Sequence, residues 1–371
     1  MRIASALLKR VVYPCITRTG LSRRFIGDGP AVITYHGIVP NNYQRRDPAL
    51  DGALVHQDSL RAQLRLLKSH YQLISPEEFL SWREGKIELP RRSVLLTCDD
   101  GLRNVTEMLP WLESSGTRCL FFVTGASTSE KPSMLWYEEL YLMMLDSSKS
   151  LNVRNFGLEP VENHDQKRGI WVQLLTHLSR YDCESRITLL DTIREQLGLE
   201  KSWKERYWDD AACRERFFVL DREGTQRLIS AGMTIGAHTL SHPVLCEQTL
   251  LSANNEIALS KTMLSATFGR NVWAFAYPFG DPGSVSEREL TIVQKAGYRC
   301  AFMNTAGGFG AQMQSFAFPR MHVTSDMTLA EFEAHLTGFY RLLRERFRRE
   351  VTALRADNAH AGPDRRVACA S

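Results

Sequence analysis

Six short apolar runs, near residues 31–38, 93–98, 118–123, 233–237, 272–276 and 299–303, do most to limit what this 371-residue chain can fold into. Each is too short for a buried helix. Ser93–Cys98 (SVLLTC) is typical. It lacks the apolar–polar alternation of a strand with one wet face, so it reads as a strand of a parallel sheet buried on both sides. Helix signals fill most of the gaps. Leu60, Leu64 and Leu67 form an apolar stripe along 59–71, and Ser75-Pro76-Glu77-Glu78 is a capping box with Pro in the first turn. Helices over 107–115, 251–268 and 286–296 each stop at a glycine: Gly116, Gly269 and Gly297. This alternation predicts an α/β fold with parallel strands.

From about 130 to 226 the alternation stops. The segments 135–145, 166–197 and 203–218 read as helices, and no strand is evident between them. Because the strand–helix rhythm resumes afterwards, this stretch is expected to be a helical insertion within one catalytic domain, 29–350, and not a separate domain. A last helix is expected over 329–349, followed by a flexible tail, 351–371.

The 46 Lys and Arg against 42 Asp and Glu leave a formal charge of +4, too even to suggest a nucleic-acid partner. The ends are more basic than the body. Residues 1–28 carry six basic side chains against one acid, and 341–371 carry eight Arg against four acids. Two readings stand: solvated ends, or contact with an anionic membrane surface. As a helix, the first residues would align Ile3, Leu7 and Val11, either docked on the body or lying in a membrane interface. No apolar run is long enough to span a bilayer. The eight cysteines are scattered with no C-x-x-C pair, which excludes a finger-type zinc site and favours free thiols. The apolar stretch 3–8 is too short for a signal-peptide core. The expected location is therefore cytoplasmic, with peripheral membrane contact through the basic N-terminal segment 1–28.

Three segments carry chemistry. Thr97-Cys98-Asp99-Asp100-Gly101 follows the strand 93–98 directly. Adjacent carboxylates at the C-terminal end of a buried strand are costly unless a positive group neutralises them, and ligands bind at that end in parallel α/β folds. The same residues also suit a surface turn, and on this segment alone the two readings are even. Gly236-Ala237-His238-Thr239-Leu240-Ser241-His242 follows another strand. Histidines at i and i+4 lie on one face of a helical turn, near enough to chelate one ion. Two imidazoles and a carboxylate, Asp100, would make an open three-ligand site of the hydrolytic zinc type. Phe275-Ala276-Tyr277-Pro278-Phe279-Gly280-Asp281 follows a third strand. Tyr277, Pro278 and Phe279 either wall a substrate groove or pack into the core; Asp281 is expected to cap a turn.

The order and content of these segments resemble the polysaccharide deacetylase family, the NodB-homology fold of carbohydrate esterases. TCDDG is similar to its T-F-D-D-G motif, HTLSH to its metal-binding H-[ST]-x-x-[SH] motif, and AYPFG to its Y-P-[FY]-G variant. ITYHG at 33–37 resembles the first strand of many members, and 256–269 resembles the helix between the motifs. The likeness covers roughly 31–125 and 226–325. It implies a distorted (β/α)7 barrel with its site at the strand C-terminal ends. It also implies Asp99 as general base and Asp100, His238 and His242 as metal ligands. The sequence departs from the family in three places. Cys98 replaces the usual Phe, and Ala276 stands near where an Arg often orients the base. No segment matches the closing motif that supplies a histidine acid. Arg320 is a substitute for the missing Arg from another strand, and His322 and His36 are candidates for the acid. On a strand Arg320 and His322 face one side.

The function this implies is metal-dependent removal of N-acetyl groups from an amino sugar in a polysaccharide, glycan or glycolipid precursor. The donor set suits Zn²⁺, with Co²⁺, Ni²⁺ and Mn²⁺ as alternatives. Two other readings are hydrolysis of a different non-peptide C–N bond in a small amide, and a glycan-binding protein that has lost catalysis. Trp136, Tyr137, Trp171, Trp203 and Trp208 of the insertion either stack on sugars or pack a core.

Overall fold

The computed structural model describes residues 7–160 and 166–344. Seven parallel strands form a ring. They are β1 (Ala31–Tyr35), β2 (Ser93–Cys98), β3 (Cys119–Val123), β4 (Thr234–Ala237), β5 (Ala274–Ala276), β6 (Cys300–Met303) and β7. β7 consists of Phe318–Pro319 and Met321–His322, on either side of Arg320. Each strand pairs with the next, and β7 closes the ring, pairing Phe318 with Phe302 of β6 and Met321 with Ile33 of β1. This is the expected (β/α)7 barrel. Gln72–Ile74 adds a short outer strand beside the start of β2.

The helices are α1 (Tyr13–Arg18), α2 (Gln57–His70), α3 (Pro76–Arg83), α4 (Leu109–Ser115), α5 (Trp136–Asp146), α6 (Gln166–Leu178), α7 (Cys183–Gln196), α8 (Ala211–Phe217), α9 (Arg222–Ser230), α10 (Leu250–Phe268), α11 (Glu287–Lys295) and α12 (Leu329–Leu336). The capping box forms at Ser75, whose side chain accepts from the Glu78 N–H while Glu78 accepts from the Ser75 N–H. α4 and α10 end as expected on left-handed glycines, Gly116 and Gly269. The expected helix 329–349 is interrupted: α12 stops at Leu336, Gly338 at φ +78° turns the chain, and helix resumes over 339–344. Residues beyond 344, including the expected tail, lie outside the described residues.

Side-chain parity sorts the barrel. Val32, Leu95, Leu120, Phe122, Ala274 and Phe302 share one buried cluster, and α3 contributes Phe79 to it. Their neighbours Ile33, Leu96, Phe121, Val123 and Phe275 join a second cluster with the surrounding helices. The insertion has a third core of its own, built from residues such as Leu140, Trp171, Leu174, Ile193 and Trp203. It joins the barrel through an isolated bridge, Leu102 with Val219, while a second, Met134 with Phe218, ties the start of the insertion to its end.

The basic N-terminal segment is not a separate appendage from residue 7 onward. α1 buries Tyr13 and Thr17 and packs on α12. Lys9 pairs with Asp326 at 3.3 Å and Glu331 at 3.2 Å, and Arg23 pairs with Glu333 at 2.7 Å. Acids on the body meet the basic segment, which is why it docks. Leu7 and Val11 stay exposed, and Ile3 lies outside the described residues. No described helix is long and apolar enough to cross a membrane.

Candidate active site and metal centre

The interior parity of the strands continues into their C-terminal ends. Register pairs Thr34 with Thr97 and with His322, Phe122 with Gly236, and Phe318 with Phe302. Two residues further along, or on the same row, stand His36, Asp99, His238, Asn304, Arg320 and His322. The mouth of the barrel therefore collects them from five strands.

Asp99 and Asp100 part company at the end of β2. Asp99 stays on the interior row. Arg320 holds it with both arms, Nη1 to Oδ1 at 2.7 Å and Nη2 to Oδ2 at 2.5 Å. Arg320 also donates to Asn304 Oδ1 at 3.0 Å and Thr97 Oγ1 at 3.2 Å. Both members of the pair are fully buried. Burial pushes the Asp99 carboxyl up, but the Arg320 guanidinium and His238 outweigh it and hold it below the ordinary range. Thus the guanidinium that pairs with Asp99 comes from β7 and not from the segment at Ala276.

Asp100 takes a left-handed backbone, φ +68°, and Gly101 follows at φ +64°. A Cβ on Gly101 would lie 3.1 Å from Val123 Cγ1, so the turn passes close to β3. The turn swings the Asp100 carboxylate toward two histidines. Its Oδ1 lies 3.3 Å from His238 Nε2 and 3.1 Å from His242 Nε2. One donor atom from each of the three residues lies within 4.8 Å of the others, and all three residues are buried. His238 Nδ1 sits 2.7 Å from the Ala276 carbonyl, which can only accept, so that nitrogen carries the proton. Its Nε2, like that of His242, therefore faces the Asp100 carboxylate, and the three donor atoms converge as a divalent metal requires. Burial opposes charge on both Asp100 and His242. The two imidazoles facing it keep Asp100 ionised, well below the ordinary range, whereas His242 stays neutral.

The HTLSH segment is not a helical turn, as its spacing suggested. Thr239 and His242 both adopt positive φ, +65° and +57°, and the loop between them brings the two rings to 4.9 Å. Glu256 of α10 braces it, accepting from the N–H of Leu240 at 2.8 Å and of Ser241 at 2.9 Å.

The third segment divides. Phe279, at φ +62°, sets its ring 5.0 Å from His242. Tyr277 points away from the mouth, its hydroxyl donating to the Phe316 carbonyl at 3.0 Å, and Pro278 beside it is buried. Tyr277 shares the parity of Phe275 and packs 5.1 Å from it in the outer core. Asp281 caps its turn, accepting from the Gly283 N–H at 2.7 Å.

The His36 and His322 rings meet at the mouth, centroids 4.5 Å apart. Burial first, and His36 next, push the His322 imidazole down to about 3, so it is neutral at pH 7. Burial lifts the Cys98 thiol well above the ordinary range, which makes it a packing residue. The described cysteines are all free.

Sequence reasoning left the insertion open, and its first helix turns out to border the centre. The Trp136 Nε1–H donates to the His242 carbonyl at 2.8 Å. The Tyr137 ring lies 5.3 Å from His242 and 5.7 Å from Phe279. Burial, and then the charge of Asp100, raise its phenol well above the ordinary range.

A parallel barrel with an Asp–His–His cluster and a buried carboxylate at its strand ends is the architecture of a hydrolytic site. A family model described as polysaccharide deacetylase matches residues 165–301, a stretch that includes HTLSH and AYPFG. With the motifs in their order, this makes the chain similar to the polysaccharide deacetylase family, hydrolases of non-peptide carbon–nitrogen bonds. No curated protein matches the chain by sequence. Among solved structures, IcaB from Ammonifex degensii has 17% identity and a TM-score of 0.53, covering 84% of this chain and 98% of its own. The Streptococcus pyogenes deacetylase PplD has 16% identity and a TM-score of 0.50, covering 84% and 99%. A de-N-acetylase from Aggregatibacter actinomycetemcomitans has 12% identity and a TM-score of 0.51, covering 83% and 100%. At these identities the likeness is one of fold.

Proposed function

We propose that this chain is a divalent-metal-dependent N-deacetylase acting on an N-acetylated amino sugar of a polysaccharide or glycan precursor. The observation that carries the reading is the buried Asp100–His238–His242 cluster next to an Asp99 held ionised by Arg320. Asp100, His238 and His242 would hold the ion, and two imidazoles with one carboxylate favour Zn²⁺. When bound, a divalent cation supplies Lewis acidity toward an amide carbonyl and toward water.

The chain's own residues do the rest. Asp99 takes the proton from the attacking water. A carboxylate has about four acceptor sites, of which Arg320 occupies two. Arg320 orients that carboxylate and keeps it basic only to the extent that an ion pair allows. The leaving amine needs a proton from a neighbouring acid. His36 and His322, whose rings meet 4.5 Å apart at the mouth, are the candidates for it. Phe279 and Tyr137 form an aromatic wall suited to the face of a sugar. The binding-protein alternative draws on the absent motif arginine and on the unmatched acid motif, and the Arg320–Asp99 pair speaks against the first of these.

The test is acetate release from a panel of N-acetylated oligosaccharides by metal-stripped protein, with and without Zn²⁺ or Co²⁺ restored. Release that returns with metal is expected. Asp99→Asn should lower turnover by about 10²–10⁴-fold while one metal ion per chain is retained. Full activity in Asp99→Asn would remove Asp99 as the base. Metal binding without acetate release from any substrate, with another acid or ammonia released instead, would favour a different amide.

A further inference from the structure

We propose that the helical insertion serves the metal centre, and that Trp136 and Tyr137 at the start of α5 are positioning residues for the ligand His242. This rests on the metal reading above.

The two histidines are held by different means. His238 has the Ala276 carbonyl on its second ring nitrogen, the usual way of fixing a ligand imidazole. His242 Nδ1 is buried without a hydrogen-bond partner. Its ring direction must come from packing and from its backbone. That backbone is left-handed, a conformation that a histidine keeps only if its surroundings enforce it. Within the loop, the His242 N–H donates to Thr239 Oγ1 at 3.0 Å. From outside the loop, the Trp136 indole N–H takes the His242 carbonyl. Tyr137 and Phe279 close on the ring from α5 and from the turn after β5.

The start of α5 is itself pinned. Glu138 accepts from Arg216 at 3.0 and 3.2 Å, and Arg216 reaches Asp51 at 2.8 Å and the Leu50 carbonyl at 2.8 Å, all of them buried. On the other side, the Arg186 guanidinium lies 4.9 Å over the Trp136 ring and donates to Ser241 Oγ at 2.7 Å. The insertion has a core of its own, in which Trp136 is a buried member and against which Tyr137 packs. Three consecutive side chains, Trp136, Tyr137 and Glu138, therefore connect a separately packed element to one metal ligand.

The experiment is Zn²⁺ calorimetric titration of the metal-free full chain and of Trp136→Phe, Tyr137→Phe and Tyr137→Leu, with the visible spectrum of each Co²⁺-loaded protein. Trp203→Phe, in the insertion core away from the mouth, is the control for packing loss. Trp136→Phe and Tyr137→Leu should weaken Zn²⁺ about 10- to 100-fold and shift the Co²⁺ bands. Tyr137→Phe, which keeps the ring, should lie between them and wild type. Trp203→Phe should lower the melting temperature and leave the Zn²⁺ affinity unchanged. Wild-type Zn²⁺ affinity in Trp136→Phe and Tyr137→Leu would overturn the inference and leave the deacetylase reading intact. An equal loss of affinity in Trp203→Phe would also overturn it, by making the effect one of general packing. Absence of Zn²⁺ binding by wild type would overturn both readings.

Discussion

The two sides of the barrel mouth are fastened by different physics. On one side, Asp99, Arg320, His36 and His322 extend the interior rows of β1, β2 and β7. A fully buried ion pair joins Asp99 to Arg320 across more than two hundred residues of sequence. On the other side, Asp100, Thr239, His242 and Phe279 all have left-handed backbones. Among the described residues only one other non-glycine, Arg92, has positive φ. Strained backbone persists where surrounding contacts over-determine it, and here those contacts come from α10 and from the insertion. The comparison teaches that the base side relies on charge pairing between strands, whereas the metal side relies on loops braced from behind. Mutations on the two sides should therefore fail differently.

The largest expected effect is on the base side. Arg320→Ala leaves the Asp99 carboxylate buried with no countercharge, so it should cost about 3–5 kcal/mol of stability. Without the guanidinium, burial meets less opposition, so the Asp99 carboxyl rises and protonates more readily. Denaturant melts should show the loss of stability, and acetate release should fall even for the folded fraction. Metal stoichiometry should hold, because no ligand depends on Arg320. A loss below about 1 kcal/mol would break the comparison by showing that the ion pair fastens nothing.

How far these sides could be read from the sequence follows from the same difference. Six of the seven strands show as apolar runs, since a strand buried on both faces must be apolar throughout. β7 does not, because Arg320 divides it into two-residue pieces. Asp99, Asp100, His238 and His242 were legible because their chemistry is local to motifs. The reason given for the histidine spacing was nonetheless wrong: a loop, not a helical turn, brings them together. Parity on β7 foretold that Arg320 and His322 share a side, and the same rule applied to Phe275 would have sent Tyr277 outward into the core. Arg186 and Glu256 left no signal as parts of the centre, and Trp136 and Tyr137 left only their aromatic character. Their contacts arise only when the insertion and α10 meet the HTLSH loop, and no periodicity within their own segments encodes that meeting.

The next effect concerns pH and the base side again. Burial, His36 and Arg320 lower the His322 imidazole to about 3, while Asp99 and Asp100 pull it up. In the unfolded chain it titrates near 6.5. Between those values the unfolded state binds the extra proton, so stability rises with pH and is lost as pH falls below about 6.5. The contribution approaches about 3 kcal/mol by pH 4. Urea melts of wild type and His322→Gln at pH 7 and pH 4.5 should therefore show a smaller acid penalty in the variant. Equal penalties would mean that the His322 ring is already charged in the folded mouth, which would strengthen its candidacy as the proton donor.

The smallest effect on stability, and the sharpest on the comparison, is Glu256→Gln. The glutamate accepts from two loop N–H groups and from Ser241 Oγ at 2.5 Å. Glutamine keeps one oxygen acceptor and turns an amide N–H₂ toward a hydroxyl that already receives a bond from Arg186. Losing the charge-assisted part of this network should cost about 1–2 kcal/mol. Metal affinity should fall further in proportion, by about tenfold, because the loop carrying His238 and His242 is the part set free. Arg320→Ala is the opposite case, with a large loss of stability and an undisturbed affinity. If Glu256→Gln instead destabilised the fold without weakening the metal, the left-handed loop would be rigid by itself, and the distinction between the two sides of the mouth would collapse.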